Sequence, residues 1–183
     1  MVDQGAAEQH TRRWLDEFVV GLNLCPFARP LFQDPALRIA VCAAGQPEDL
    51  RNAFLTELDL LQASPESAIA TSLLVFTGAL ADFDDYLDFL DEAQALLDAA
   101  GLSGLVQLAS FHPGYLFGGE APESASHFSN RAPWPTIHFI REDMLSRALA
   151  DDPDPDRIPA RNVATLEALG VEELENRWKA LFG

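Results

Sequence analysis

The sequence predicts an α/β protein: a four-stranded mixed sheet made of a β-α-β-α-β core plus one edge strand, with flanking helices and with N- and C-terminal helices packed on it. Three observations carry this reading. Strand-like runs alternate with stretches of helical period through the middle of the chain. One of those runs, Leu73-Leu74-Val75-Phe76, is apolar on both faces, the pattern of a central parallel strand. The connections between runs are long enough for crossover helices, which makes the strands they join parallel.

Residues 6–22 place Trp14, Leu15, Phe18, Val19 and Leu22 on one stripe, with Arg12, Arg13, Asp16 and Glu17 largely opposite, and so read as an amphipathic helix. Gly21, Asn23 and Pro26 stop it, which leaves Cys25 just past a helix end among apolar neighbours. Residues 37–42 alternate Leu37, Ile39 and Val41 against Arg38, Ala40 and Cys42, a strand period. Pro47 then suits the first position of a helix that aligns Leu50, Phe54, Leu58 and Leu61. A second strand spans 71–77. The next helix, 82–100, puts Phe83, Tyr86, Leu87, Leu90, Ala93 and Leu97 on one face and ends at Gly101. Residues 105–109 form a third strand and 136–140 a fourth, read as an antiparallel edge. A short helix follows at 143–150, then an acidic, proline-rich turn at 151–156 that reads as a solvated loop rather than a calcium site, because proline interrupts its carboxylates. Two C-terminal helices, 161–169 and 171–181, complete the chain.

At 183 residues and 48% apolar content the chain suits a single domain, 1–183. It lacks any apolar run of membrane-spanning length, and its first residues lack the basic and apolar regions of a signal peptide, so a cytoplasmic location is expected. The formal net charge is -17 and Lys179 is the single lysine. Such a surface repels nucleic acid and anionic membranes, whose binding draws on Lys and Arg neutralising phosphates, and neither is expected as a partner.

Between the third and fourth strands runs a connection of about 25 residues without periodicity, long enough to suggest a functional loop. It is too aromatic for a disordered linker. Ligands of open α/β sheets bind beyond the carboxyl ends of parallel strands, which places His112 on that edge. An antiparallel fourth strand would bring Asn130, Arg131 and His138 there too. His138 and Glu142, four residues apart, share a face, as suits a proton-transfer pair or two ligands to a divalent metal. Arg131, held between Asn130 and two prolines, suits a carboxylate or phosphate clamp. Tyr115, Phe117 and Trp134 read as walls. Cys25 reads as a core residue unless a cation near it favours the thiolate. Cys42 and His127 read as structural.

Four separated segments together resemble one bacterial family. They are Leu22-Asn23-Leu24-Cys25-Pro26-Phe27-Ala28; Ser110-Phe111-His112-Pro113 with Tyr115 and Phe117; Asn130-Arg131 with Pro133, Pro135 and His138; and Ile158-Pro159 with Arg161-Asn162. The family is that called domain of unknown function 1415. The resemblance implies that Cys25, His112, Arg131, His138 and the pair Arg141-Glu142 occupy motif positions, and it implies no activity.

The expectation from these readings is an enzyme of acid-base or metal-assisted chemistry on a small, anionic substrate. His112, His138, Glu142 and Cys25 would be the catalytic set, and Arg131, Asn130, Tyr115 and Trp134 the substrate contacts. His112, His138 and Glu142 would be the ligands if a divalent metal is held. Two alternatives stand beside it: a non-catalytic metal or haem binder, and an interaction module that docks partners on the aromatic loop 111–135.

Overall fold

A computed structural model describes residues 3–150 and 154–183. The acidic turn expected at 151–156 therefore lies partly outside the described residues, as do the first two residues of the N-terminus read for a signal peptide.

The elements follow the expected order. Helix α1 (Gln4–Trp14) runs straight into a six-residue π-helix, Leu15–Val20, and a short helix α2 (Ala28–Phe32) follows a turn. Then come β1 (Leu37–Cys42), α3 (Pro47–Ala63), β2 (Thr71–Phe76), α4 (Phe83–Ala99) and β3 (Val106–Phe111). The long connection contains one 3-10 helix, Ala125–Ser129. It leads to β4 (Thr136–Arg141), α5 (Glu142–Ala150), a 3-10 turn at Pro155–Arg157, α6 (Ile158–Leu169) and α7 (Val171–Ala180).

The strands form one sheet in the order β1-β2-β4-β3. β1 and β2 pair in parallel, and β4 runs antiparallel to both of its neighbours. The four-stranded mixed α/β sheet is as expected, but β4 is not an edge strand. It is inserted between β2 and β3, and β3 takes the edge. The alternation Thr136, His138, Ile140 against Ile137, Phe139 resembles a strand with one wet face. Here both faces are covered by protein: His138 lines a cavity described below, while the buried Thr136 hydroxyl donates to the carbonyl of Trp134.

On one face α3 and α4 supply the core. Leu50, Phe54, Leu58 and Leu61 from α3 and Tyr86, Phe89, Ala93 and Leu97 from α4 pack on Leu74, Phe76, Val106, Ile137 and Phe139. Helix α4 starts where the Asp82 carboxylate accepts from the amides of Asp84 and Asp85, and it stops ahead of Gly101 at φ +72°. Leu87, expected on its inner face, is 37% exposed, and Phe89 takes the buried place. The opposite face is covered by α1, the π-helix, the 3-10 helix, α6 and α7, through Trp14, Phe18, Phe128, Leu166, Leu174 and Leu181.

Two polar ties fix the frame. Glu57, buried on α3, accepts both Nε and Nη2 of Arg38 on β1 and the Ser72 hydroxyl on β2. Arg141, at the end of β4, donates to the carbonyls of Leu61, Ser64 and Ile69 and so closes the carboxyl end of α3 and the approach to β2. Among the described residues no helix is long and apolar enough to cross a membrane.

Candidate functional site

The strand register lines up Leu73, His138 and Ala109 across three strands on the face away from α3 and α4. Thr71, Ile140 and Phe111 share that face by the two-residue period. Small side chains at Thr71 and Ala109 flank His138, and the helices above do not fill the space this leaves. The result is a cavity of about 710 Å³. Its walls are Leu15, Val19 and Val20 of the π-helix; Leu24, Cys25 and Phe27; Phe117, Ser126, Ser129 and Asn130 of the long loop; Met144 and Leu145 of α5; and Pro159, Asn162 and Val163 of α6. Among the described residues the lining contains no Lys or Arg, and Glu120 is its one charged residue.

Local sequence explains how these walls are held. The π-helix widens the chain just where Leu15, Val19 and Val20 meet the cavity; such segments are rare and concentrate at functional sites. It ends in a turn in which Asn23 adopts φ +53°, a conformation asparagine tolerates better than most residues, and the carbonyl of Val19 accepts the amide of Leu24. Asn162 on α6 donates to the carbonyl of Leu24 at 2.7 Å, locking that turn, with Cys25 next to it, against α6.

His138 is the most perturbed titratable group of the cavity. Its Nε2 lies 2.6 Å from the Thr71 hydroxyl, which also lies 2.8 Å from the carbonyl of Phe139. A hydroxyl has one proton, and only His138 Nε2–H donating to Thr71, with Thr71 donating to Phe139, satisfies both contacts. The imidazole is therefore the Nε2–H tautomer, and Nδ1 is left as a lone-pair acceptor with no partner among the described residues. Burial away from water pushes its pKa down to about 4, so the ring is neutral at physiological pH.

Cys25, in the same cavity, has its thiol pKa raised, chiefly by burial and in spite of the amides of Phe27 and Ala28. The thiol is thus protonated near neutrality and a weak nucleophile. No described cation stands beside it to reverse this.

The cleft expected from the sequence does not form. His112 sits on the other side of the sheet, with its ring against Phe83 and Tyr86 of α4. Both of its nitrogens are occupied: Nδ1 accepts the amide of Gly114 at 3.0 Å and Nε2 donates to the carbonyl of Leu80 at 3.0 Å. Burial lowers its pKa, the Leu80 carbonyl opposing. His112 ties the loop to α4, and neither of its ring nitrogens is left without a partner.

Glu142 opens α5, with its amide on the carbonyl of Leu105 at the far end of β3 from His112. Six strand residues at ~3.3 Å each separate those ends, too far for a shared ligand. The triad His112, His138 and Glu142 therefore holds no metal in common, and among the described residues no group of three or more His, Cys, Asp or Glu side chains is arranged to hold one.

The segments carrying His112 and Arg131 do meet, as expected. The carbonyl of Asn130 accepts the amide of His112, and Asn130 Nδ2 donates to the carbonyl of Ser110. Asn130 lines the cavity, but Arg131 turns away from it, with Nε on the carbonyl of Tyr115 at 3.4 Å. Tyr115 packs between Phe83 and Phe117 and does not reach the cavity. Trp134, half-buried, stacks on His10 and meets Phe182 edge-on, with its indole Nε1 buried. His127 is structural, as expected, accepting the amide of Phe117 and donating to the carbonyl of Ala121.

Sequence reasoning missed Thr71, Ala109 and Asn162. A threonine opening a buried strand just ahead of its apolar run, and an asparagine inside a helix, were the available signals.

The fold and cavity define an α/β protein with a mixed sheet whose helix-covered face encloses a largely apolar chamber. The family model described as "Protein of unknown function (DUF1415)" matches residues 6–176, and the chain belongs to that family. No curated protein and no solved structure matches it.

Proposed function

We propose that the protein binds a small, mainly apolar, uncharged molecule in the sheet-face cavity, with His138 Nδ1 accepting a hydrogen bond from the ligand's hydroxyl or amide. The observation that carries this reading is a neutral imidazole of fixed tautomer, with a free acceptor nitrogen, in a chamber whose described lining has no Lys or Arg. Ligand pockets typically run from ~300 to 1,000 Å³, mostly apolar with a few placed polar groups, and this cavity fits that description. All four segments that carry the family resemblance contribute to its walls, through Cys25, Phe111 and Phe117, Asn130 and His138, and Pro159 and Asn162.

The chemistry of the lining favours an uncharged ligand over the anionic one first expected. An anionic substrate would meet no Lys or Arg among the described lining residues and would bear a desolvation cost unopposed. A base with a pKa of about 4 is mismatched to proton abstraction near pH 7, where efficient catalysts sit close to the working pH. Binding and orientation are what this imidazole does best.

The test compares 1-naphthol with 1-naphthoate by calorimetry and thermal shift. 1-Naphthol is expected to bind and to stabilise the fold. Replacing His138 with Phe, which removes the acceptor, should weaken binding about tenfold, the worth of one hydrogen bond. Ala109→Phe, which fills the chamber, should abolish it. Equal or tighter binding of the naphthoate, or indifference to both substitutions, would overturn the reading.

A further inference from the structure

We infer that the protein has a second ligand site, for a small molecule carrying one carboxylate or phosphate group, in the pocket between the 3-10 helix at Ala125–Ser129 and α7, with Arg131 as its clamp. The pocket is about 260 Å³ and is lined by Pro113, Phe128, Arg131, Glu175, Trp178 and Lys179. It is separate from the cavity above: Ser126 and Ser129 of the 3-10 helix face that chamber, while Phe128 faces this one.

Charge singles the pocket out. In a chain of net charge -17, the single lysine and a half-buried arginine line one small concavity. The Arg131 guanidinium is already oriented, with its Cζ 4.7 Å from the centroid of the Phe128 ring and Nε directed at the carbonyl of Tyr115. Among the described residues it forms no ion pair, and its terminal Nη1 and Nη2 donors are unspent. Glu175, whose charge it feels, lies 3.9 Å from Lys179 Nζ instead. Burial lowers the pKa of Arg131, a cation stripped of part of its water, and the charge of Glu175 offsets this only in part. A planar fork in that state favours a bidentate acid group.

The neighbours narrow the ligand further. Phe128, Trp178 and Pro113 supply flat apolar walls for a carbon skeleton. Glu175 faces the same space and repels a second negative charge, so the fitting ligand has one acidic group and an apolar body. The long-range field of the protein disfavours polyanions in the same sense.

The experiment follows the Arg131 Nε–H and Trp178 indole resonances of the intact protein by NMR during titration with benzoate and, separately, phenyl phosphate. Saturable shifts of both resonances with at least one probe are expected, and the probe that binds tells a carboxylate from a phosphate site. Arg131→Gln should abolish the shifts, and Arg131→Lys, which keeps the charge but not the fork, should weaken binding about tenfold. Glu175→Gln should tighten it. If Arg131→Gln unfolds the protein, as its fingerprint spectrum would show, the Arg131→Lys and Glu175→Gln variants decide alone. No shift with either probe up to about 20 mM, far above the millimolar scale of weak specific binding, or affinities unchanged in the variants, would overturn the inference.

Discussion

His138 donates through Nε2 to the Thr71 hydroxyl at 2.6 Å, and Thr71 hands the chain of hydrogen bonds on to the carbonyl of Phe139. The relay joins β2 to β4 across the floor of the cavity, and it decides which imidazole nitrogen is left as an acceptor.

The first prediction concerns pH. The pKa of His138 is about 4 in the fold against ~6.5 for a free histidine, so the native state resists a proton that the unfolded chain accepts. This contribution to stability is fully present above pH 6.5 and is lost as pH falls from there through 4, to a total of about 3 kcal/mol. Urea unfolding of the wild type and of His138→Gln between pH 7 and pH 4 should show the wild type losing about that much more. An NMR titration midpoint near the ordinary histidine value would refute it.

The second concerns the thiol beside that ring. Because burial raises the pKa of Cys25, iodoacetamide should alkylate it at pH 7 more slowly than a free cysteine, with a rate that climbs as pH passes above ~8.5, the usual thiol value. Occupying the cavity with 1-naphthol should slow the reaction further. Mass spectrometry of the modified chain reads both effects, and fast labelling at pH 7 would contradict the placement of this side chain.

The third separates residues that look catalytic from those that are. His112→Ala strips partners from the Gly114 amide and the Leu80 carbonyl, and Arg141→Ala strips three carbonyls. Each substitution should cost about 2 to 3 kcal/mol in chemical denaturation, the penalty for leaving buried polar groups unpaired. Neither should change the affinity of the folded fraction for a cavity ligand by more than about twofold. A large loss of affinity with unchanged stability would return His112 to the site.

Local pattern made the helices and strands legible, because Leu50, Phe54, Leu58 and Leu61 at helical spacing, or an unbroken Leu73–Phe76, have few other ways to be buried. The place of β4 was not legible, since no local signal states which strands pair, and the alternation of Thr136 and His138 with apolar residues resembles a strand with one wet face. His138 is polar where it borders a hole, and Thr136 is buried with its hydroxyl on the carbonyl of Trp134.

The site was half legible for a related reason. Segments at 112 and 131 do converge, as strand topology required, yet His112 is consumed by an amide only two residues further on, a partner that spacing alone could not announce. His138 was singled out for a partnership with Glu142, while its true partner, Thr71, lies 67 residues away in sequence. Cys25 and Asn130 meet the cavity, but the π-helix and α6 that roof it come from opposite ends of the chain, and no window of sequence contains both.

The insertion of β4 between β2 and β3 also orders the birth of the molecule. While the chain is being synthesised, β1 and β2 can pair as soon as β2 has followed α3, but β3 has no neighbour to bond until β4, residues 136–141, has appeared. Until then β2 and β3 each carry a bare, hydrogen-bonding border, the kind of surface on which nascent chains stick to one another. Any fragment that ends before Thr136 keeps both borders open for good.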